Sequence, residues 1–403
     1  MDGPVVVIGG GILGCSAAWH LLNDGVRDVT LVDAGQVGSG TSSAGAGFVA
    51  LWAAGFLREA GRPELEMERY GLDFYRRLHE TSSGGIGYKN NGNLSLVLTE
   101  SGWERAERQL EHPDAPLGTC RLTPLEITDL TGAVRADAVA GGVWQPAGIQ
   151  MEADLALRAL AQAIEQMGGR LLTNTHAYEI RVRKDRVDGV MTDHCVLPAD
   201  SVVLAAGAWS ASLLAALGQR LPMVRVIATR IITAASSVPP TMPTIQCAEL
   251  GLWIRERFGG YTWGTGLAYR PAHLFEANGH EIRPGRPRVP ELLDRTRDIE
   301  PQLARVFSGF ATSRIVEWMQ GIPCFTPDLR HYIGRSPSLP NLIVIAGDRE
   351  VGVSHGPAMG RAAAQLVLDR ETFVDLAAFR IDRFAEANVD ESAALDEVLF
   401  RMR

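Results

Sequence analysis

Val5-Val6-Val7-Ile8-Gly9-Gly10-Gly11-Ile12-Leu13-Gly14 is the stretch that decides how this chain folds. The β-branched run predicts a short strand, and Gly9 ends it. Beyond it, Leu13, Ala17, Ala18, Leu21 and Leu22 share one helical face until Gly25 stops the helix. Val29-Thr30-Leu31-Val32 then predicts a second strand, with Asp33 at its end. A strand–helix–strand unit this short is nearly always parallel and right-handed.

Within that unit the glycines fall as GxGxxG. Gly9 permits the tight turn, Gly11 lets backbone approach a pyrophosphate, and Gly14 lets the helix lie close to the strand. The helix N-terminus offers unpaired N–H groups and a partial positive charge to phosphates. Asp33 is placed to accept hydrogen bonds from an adenosine ribose, and an acid there disfavours a 2′-phosphate. The motif therefore predicts FAD or NAD without choosing between them.

A second segment chooses. Residues 340–361 (PNLIVIAGDREVGVSHGPAMGR) read as a strand, a glycine turn at Gly347, and a helix over about 357–369 with Pro357 near its first position. A second helix N-terminus beside the cofactor suits a flavin, whose reduced ring gathers negative charge at N1 and the C2 carbonyl. A nicotinamide gains nothing comparable on reduction.

Between these ends the patterns predict a helix at 64–80, a hairpin or paired strands over 88–98 with a turn signal at Asn91-Gly92, and an amphipathic helix at 153–167. Strands are expected at 170–173, 177–183, 187–192, 202–206, 223–233 and 252–264.

Seven blocks carry a resemblance to a known family. They are the GxGxxG with Asp33; Gly38-Ser39-Gly40-Thr41-Ser42-Ser43; Asn91-Gly92-Asn93-Leu94; residues 202–210 (VVLAAGAWS); Thr326-Pro327-Asp328 with Tyr332-Ile333-Gly334; the 340–361 segment; and Phe379-Arg380-Ile381-Asp382-Arg383. Together they resemble the FAD-dependent amine oxidases related to glycine oxidase, sarcosine oxidase and the dimethylglycine and sarcosine dehydrogenases. The resemblance implies a doubly wound α/β FAD-binding domain (residues 1–82, 145–222 and 324–385). It also implies a discontinuous substrate domain with a mixed, mostly antiparallel sheet (83–144 and 223–323), and a C-terminal tail at 386–403.

The cofactor residues it implies are Gly9, Gly11, Ile12, Leu13, Gly14, Asp33, Ala34, Gly40, Thr41, Ser42, Ala177, Gly207, Trp209, Gly347, Gly352, Val353 and Ser354. Ala177 is expected at the adenine, and Gly352, Val353 and Ser354 at the pyrimidine end of the flavin. Thr41 and Ser42 read equally well as helix caps.

The chain also departs from the family. Ala44 stands in the loop where some relatives attach flavin through His, and Cys324 is out of register with the cysteine that others use. FAD is therefore expected to be non-covalent, with Cys324 a core or pocket-lining thiol. Pro323 and the stretch Phe48-Val49-Ala50-Leu51 stand where relatives carry carboxylate-binding arginines. Arg349 and Arg255 are the replacement candidates, because a guanidinium pairs bidentately with a carboxylate. Tyr261, Trp263, Tyr269 and Trp318 are candidate pocket walls. Lys89 and Lys184 are the only lysines, and neither matches the lysine that several relatives hold over the flavin.

The expected reaction is oxidation of a C–N bond by hydride transfer to flavin N5, giving an imine that hydrolyses. No side chain is assigned an acid or base role. The electron acceptor is oxygen or another molecule. Two other readings stand beside a stand-alone oxidase: a dehydrogenase or flavoprotein subunit, and a flavin-binding partner protein without turnover.

Composition agrees with a globular protein. The 403 residues are 46% hydrophobic and 21% charged, with a net charge of −8, which argues against nucleic acid or an anionic membrane as partner. Five scattered cysteines without CxxC signal neither a disulfide framework nor a metal site. No leader fits before the first strand, and no apolar run is long enough to span a bilayer, so a cytoplasmic setting is expected.

Overall fold

The computed structural model describes residues 3–51, 61–274 and 282–384. The expected tail at 386–403 lies outside them.

Six strands form the first sheet, in the order Tyr332–Arg335, Leu342–Ala346, Ser201–Leu204, Val5–Ile8, Val29–Val32, Arg170–Leu172. Every pairing is parallel except that of the edge strand Tyr332–Arg335. The interior strands have no polar face because both faces are covered. Val5 and Val7 point into one core, with the helices Ile12–Asn23, Arg62–Thr81, Ala153–Gln166 and Gly352–Val367. Val6 and Ile8 point into another, under the antiparallel strands Ala177–Arg183, Arg186–Thr192 and Val196–Pro198.

Small residues let the first and last helices touch. A Cβ on Gly360 would lie 2.6 Å from Ala17 N, and one on Gly14 would lie 1.8 Å from Gly9 O. Gly14 thus packs helix on strand, the part expected of it.

The second sheet has ten strands. Its spine is Val224–Thr233, which pairs antiparallel with Gly260–Thr265, Ile315–Gly321, Arg270–Pro271 and Cys324–Phe325. Leu252–Arg257 and Gly260–Thr265 form a hairpin, and the order continues through Thr244–Cys247, Asn93–Val97, Gly141–Gln145 and Cys120–Leu122. One junction, Asn93–Val97 with Thr244–Cys247, is parallel. The mixed sheet over a doubly wound domain is the fold class expected.

Two local expectations need correction. Asn91-Gly92 is not a hairpin turn. Lys89 bridges to Gln150, whereas Asn93–Val97 pairs with Gly141–Gln145, so the chain passes between sheets there. Asn91 Nδ2 instead donates to Pro240 O at 2.8 Å. The last helix begins at Gly352, not at 357, so Pro357 lies inside it. Proline removes one N–H from the helical ladder.

Candidate active site

A cleft runs between the two sheets, and its wall is built from the glycine-rich segments at both ends of the chain. Gly9, Gly11, Ile12 and Leu13 line it at the start of the first helix. Asp33 and Ala34 line it beyond the second strand, with Ala177 alongside. Gly40, Thr41 and Ser42 follow, then Gly207 and Trp209, and finally Gly347, Gly352, Val353 and Ser354.

The details of this wall follow from single hydrogen bonds. Asp33 spans the glycine loop: Oδ2 accepts from Gly10 N at 2.6 Å and Oδ1 from Gly35 N at 2.7 Å. Burial raises its pKa, and these two N–H groups work in the opposite direction. Ser42 Oγ accepts from Ile12 N at 2.9 Å, capping the first helix from 30 residues away. Thr41 Oγ1 accepts from Ile322 N at 2.9 Å, tying the loop to the second sheet. Trp209 Nε1 donates to Ile282 O at 2.9 Å.

Few of the expected substrate residues reach the cleft. Tyr269 lines it. Arg349 does not: it is 2% exposed, and its guanidinium donates to Leu329 O. Arg255 is spent elsewhere, donating to Ala46 O at 2.6 Å, Glu256 O at 3.0 Å and Glu152 Oε1 at 2.9 Å. Tyr261 and Trp263 are core residues packed around Phe310, and Tyr261 Oη donates to Ser308 O. Trp318 carries Arg288 over its ring on the sheet surface. Cys324 is buried, with Sγ directed at Ile322 O, and burial pushes its thiol far up. None of these last six lines the cleft.

The structure brings other groups there. Arg230 lines the cleft from Val224–Thr233 and is 4% exposed. Its Nε donates to Thr262 Oγ1 at 2.7 Å and its Nη1 to Gly45 O at 2.7 Å, while Nη2 has no hydrogen-bond partner among the described residues. Glu152 Oε2 lies 3.8 Å from Nη2. That one carboxylate also faces Arg255 and Arg257, so three guanidiniums share it. Burial, then the neighbouring Arg255, lower the Arg230 pKa to about 9, which leaves it charged at neutral pH. Gln246 and Trp253 complete this end. An arginine amid Ile227, Ala228, Ile231 and Ile232 was the signal in the sequence, because a charge in an apolar strand needs a partner.

Asp348 and Glu350 also line the cleft, at the turn before the last helix. Asp348 Oδ1 accepts from Cys324 N at 3.0 Å, and burial lifts its pKa to about 6.

The family model described as FAD dependent oxidoreductase matches residues 4–366. The chain belongs to this FAD-dependent oxidoreductase family. The 4-methylaminobutanoate oxidase (formaldehyde-forming) of Paenarthrobacter nicotinovorans is 28% identical over 390 residues, covering 94% of this chain and 45% of that protein. A mitochondrial pyruvate dehydrogenase phosphatase regulatory subunit of Mus musculus is 26% identical over 374 residues, covering 90% of this chain and 41% of its own length. The crystal structure of glycine oxidase from Geobacillus kaustophilus matches with a TM-score of 0.77 at 26% identity, covering 95% of this chain and 99% of that one. The chain thus spans less than half of the first two proteins and nearly all of the third.

The cofactor of this family is FAD, and the cleft fits it. Two helix N-termini without acidic residues in their first turns open onto it, at Ile12 and Gly352. Nothing lies within 4 Å of where a Cβ on Gly40 or Gly207 would stand. Among the described residues no helix is long and apolar enough to cross a membrane, and no cluster of His, Cys, Asp or Glu could hold a metal.

Proposed function

We propose that this chain oxidises the C–N bond of a small amine or amino acid, with FAD held non-covalently along the cleft. The carrying observation is Arg230, a buried cation on the wall of the site whose Nη2 makes no hydrogen bond among the described residues. It stands in for the arginines the sequence lacks, and a guanidinium that has only a share of Glu152 favours an anionic ligand group such as a substrate carboxylate.

In this reading Gly11, Ile12, Leu13 and Gly40 present backbone to the pyrophosphate, and Asp33 and Ala34 face the ribose. Ala177 meets the adenine, and Gly347, Gly352, Val353 and Ser354 carry the flavin end. Bound FAD supplies the hydride acceptor at N5, so the amine leaves as an imine that water hydrolyses. The protein positions the amine and excludes water from the seam between the sheets. Non-covalent binding is supported by Cys324, whose buried thiol does not reach the cleft, and by Ala44 in the loop.

The named activities of 4-methylaminobutanoate oxidase and glycine oxidase support a carboxylate-bearing amine as substrate. The test is anaerobic bleaching of the flavin by glycine, sarcosine, proline or 4-methylaminobutanoate. Return of the colour in air identifies an oxidase, and return only with an added dye identifies a dehydrogenase. The likeness to a regulatory subunit favours a second reading, a flavin-binding partner protein; a yellow protein that none of these amines bleaches would point to it or to a specialised substrate.

A further inference from the structure

Glu350 is a carboxyl in the cleft for which the cofactor-binding set has no use. The turn that carries it is tied to the second sheet at Cys324, whose N donates to Asp348 Oδ1 at 3.0 Å and whose O accepts from Arg349 N at 2.9 Å. Glu350 therefore sits at the seam where the flavin-side helix meets the substrate sheet, close in sequence to Gly352 and Val353. Arg349 and Glu350 both adopt left-handed backbone, at φ 49° and 66°. Such conformations are costly for non-glycine residues and persist only where the surroundings impose them. Here the Arg349 side chain is buried against Leu329 O, and that of Glu350 faces the cleft.

No hydrogen bond or ion pair among the described residues involves the Glu350 carboxyl. The other ionisable groups on the cleft wall are Asp33, Asp348, His176, Arg230, Tyr178 and Tyr269, and none of them shifts it. Burial alone raises its pKa to about 8. A carboxylate in such a partly buried place favours a cation, and none of the described residues supplies one.

We propose that Glu350 receives the ammonium group of the substrate and accepts the proton that must leave nitrogen before the C–N bond is oxidised. This rests on amine oxidation as the reaction of the cleft. In this step an N–H bond breaks, its electron pair stays on nitrogen, and the proton forms an O–H bond on Glu350. An ammonium and a carboxylate become an amine and a carboxylic acid, and no further reactant is consumed. The substrate class is a cationic amine, and with Arg230 lining the same cleft, one that also bears a carboxylate.

The test uses the FAD-loaded full chain and tetramethylammonium, a cation that cannot be deprotonated at nitrogen, titrated by the change in the flavin spectrum at constant ionic strength. Binding is expected to tighten as pH rises through about 8. Glu350→Gln is expected to bind about tenfold or more weakly at high pH and to lose the pH dependence. Glu350→Asp, which keeps the charge, should retain part of both and shows that the site still folds. With an amine that bleaches the flavin anaerobically, the same rising limb should appear in the reduction rate and vanish in Glu350→Gln. Equal affinity and an unchanged pH profile in Glu350→Gln would overturn the assignment of Glu350 and leave amine oxidation standing. Glu350-dependent cation binding without bleaching by any amine would overturn the oxidation reading and leave the cation site standing.

Discussion

Tyr75 Oη donates a 2.7 Å hydrogen bond to Val353 O, the carbonyl that Pro357 leaves without a helical partner. In a regular helix the N–H of residue 357 would fill that place, and proline has none. The proline that ought to weaken the last helix thus becomes a docking point for the helix Arg62–Thr81. Gly71 completes the contact, since a Cβ there would come within 2.2 Å of Ser354 O. Both residues so held, Val353 and Ser354, line the cleft. Tyr75→Phe should lower stability by about 1–3 kcal/mol, the cost of leaving a buried carbonyl unpaired. It should also weaken FAD binding, because two residues lining the cleft lose their brace. Thermal unfolding with and without FAD measures both effects, and an unchanged FAD affinity would show that the contact is purely structural.

Glu152 joins the two sheets. It precedes the helix Ala153–Gln166 of the first domain and takes Arg255 at 2.9 Å and Arg257 at 2.7 Å from the second sheet. Burial works against its carboxylate, but Arg255, Arg230 and Arg257 outweigh burial and hold the carboxyl below the usual range. Glu152→Gln leaves those cations without a counter-charge. Removing one partner of a buried pair costs about 3–5 kcal/mol. Urea denaturation at neutral pH should show a loss of that order. The difference should shrink as the pH falls through the depressed carboxyl pKa, because wild-type Glu152 is then neutral too.

Arg230 separates carboxylate recognition from amine recognition. Arg230→Lys keeps the charge and loses the forked donor geometry. Affinity for sarcosine should fall roughly ten- to hundredfold, the equivalent of one charge-assisted hydrogen bond. Dimethylamine, which has the same C–N bond and no carboxylate, should bind wild type and variant alike. The dissociation constants come from anaerobic flavin titrations. A parallel loss for both amines would mean that Arg230 supports the wall rather than the ligand.

The fold was legible because its deciding elements are local. A strand, three spaced glycines and an acid within one unit leave little freedom, and the alternation of Val5 and Val7 against Val6 and Ile8 is visible as an unbroken apolar run. The hairpin at Asn91-Gly92 was misread because its partners, residues 141–145 and 150, are remote in sequence, and a turn signal says nothing about which strand waits beyond it. The substrate end was hard for the same reason. Arg255 and Arg349 have the right chemistry, but their direction is set by Ala46, Glu152 and Leu329, which no local pattern connects to them. Arg230 and Glu350 were both in plain view, one as a charge within an apolar strand and one inside the second glycine segment. What marks them is an unsatisfied group among the described residues, one N–H of Arg230 and the carboxyl of Glu350, and that is a three-dimensional property.

Behind the flavin-side turn, His331 and His355 share a 2.6 Å hydrogen bond between Nε2 and Nδ1. His331 Nδ1 lies 2.9 Å from Gly347 O, so it carries the proton that the carbonyl accepts. His331 Nε2 is then the acceptor and His355 Nδ1 the donor, and both rings are neutral. Burial first, then the charge on Arg349, push both pKa values well below the ordinary 6.5. In the unfolded chain both rings gain protons below about 6.5, whereas the folded protein resists. Stability from this pair is therefore complete above that pH and is lost as the pH falls, at about 1.4 kcal/mol per histidine per unit. Asp348 and Glu350, whose raised pKa values act in the opposite sense, oppose this slope. The diagnostic quantity is thus the difference between wild type and the His331→Asn, His355→Gln double variant, which cannot titrate there. Denaturation at about pH 7.5 and about pH 5.5 should show wild type losing its advantage over the variant as acid is added. A difference that stays constant across that range would mean that the folded protein takes up these protons as readily as the unfolded chain, and an advantage that grows in acid would mean that Glu68, 3.5 Å from His355 Nε2, holds a charged ring.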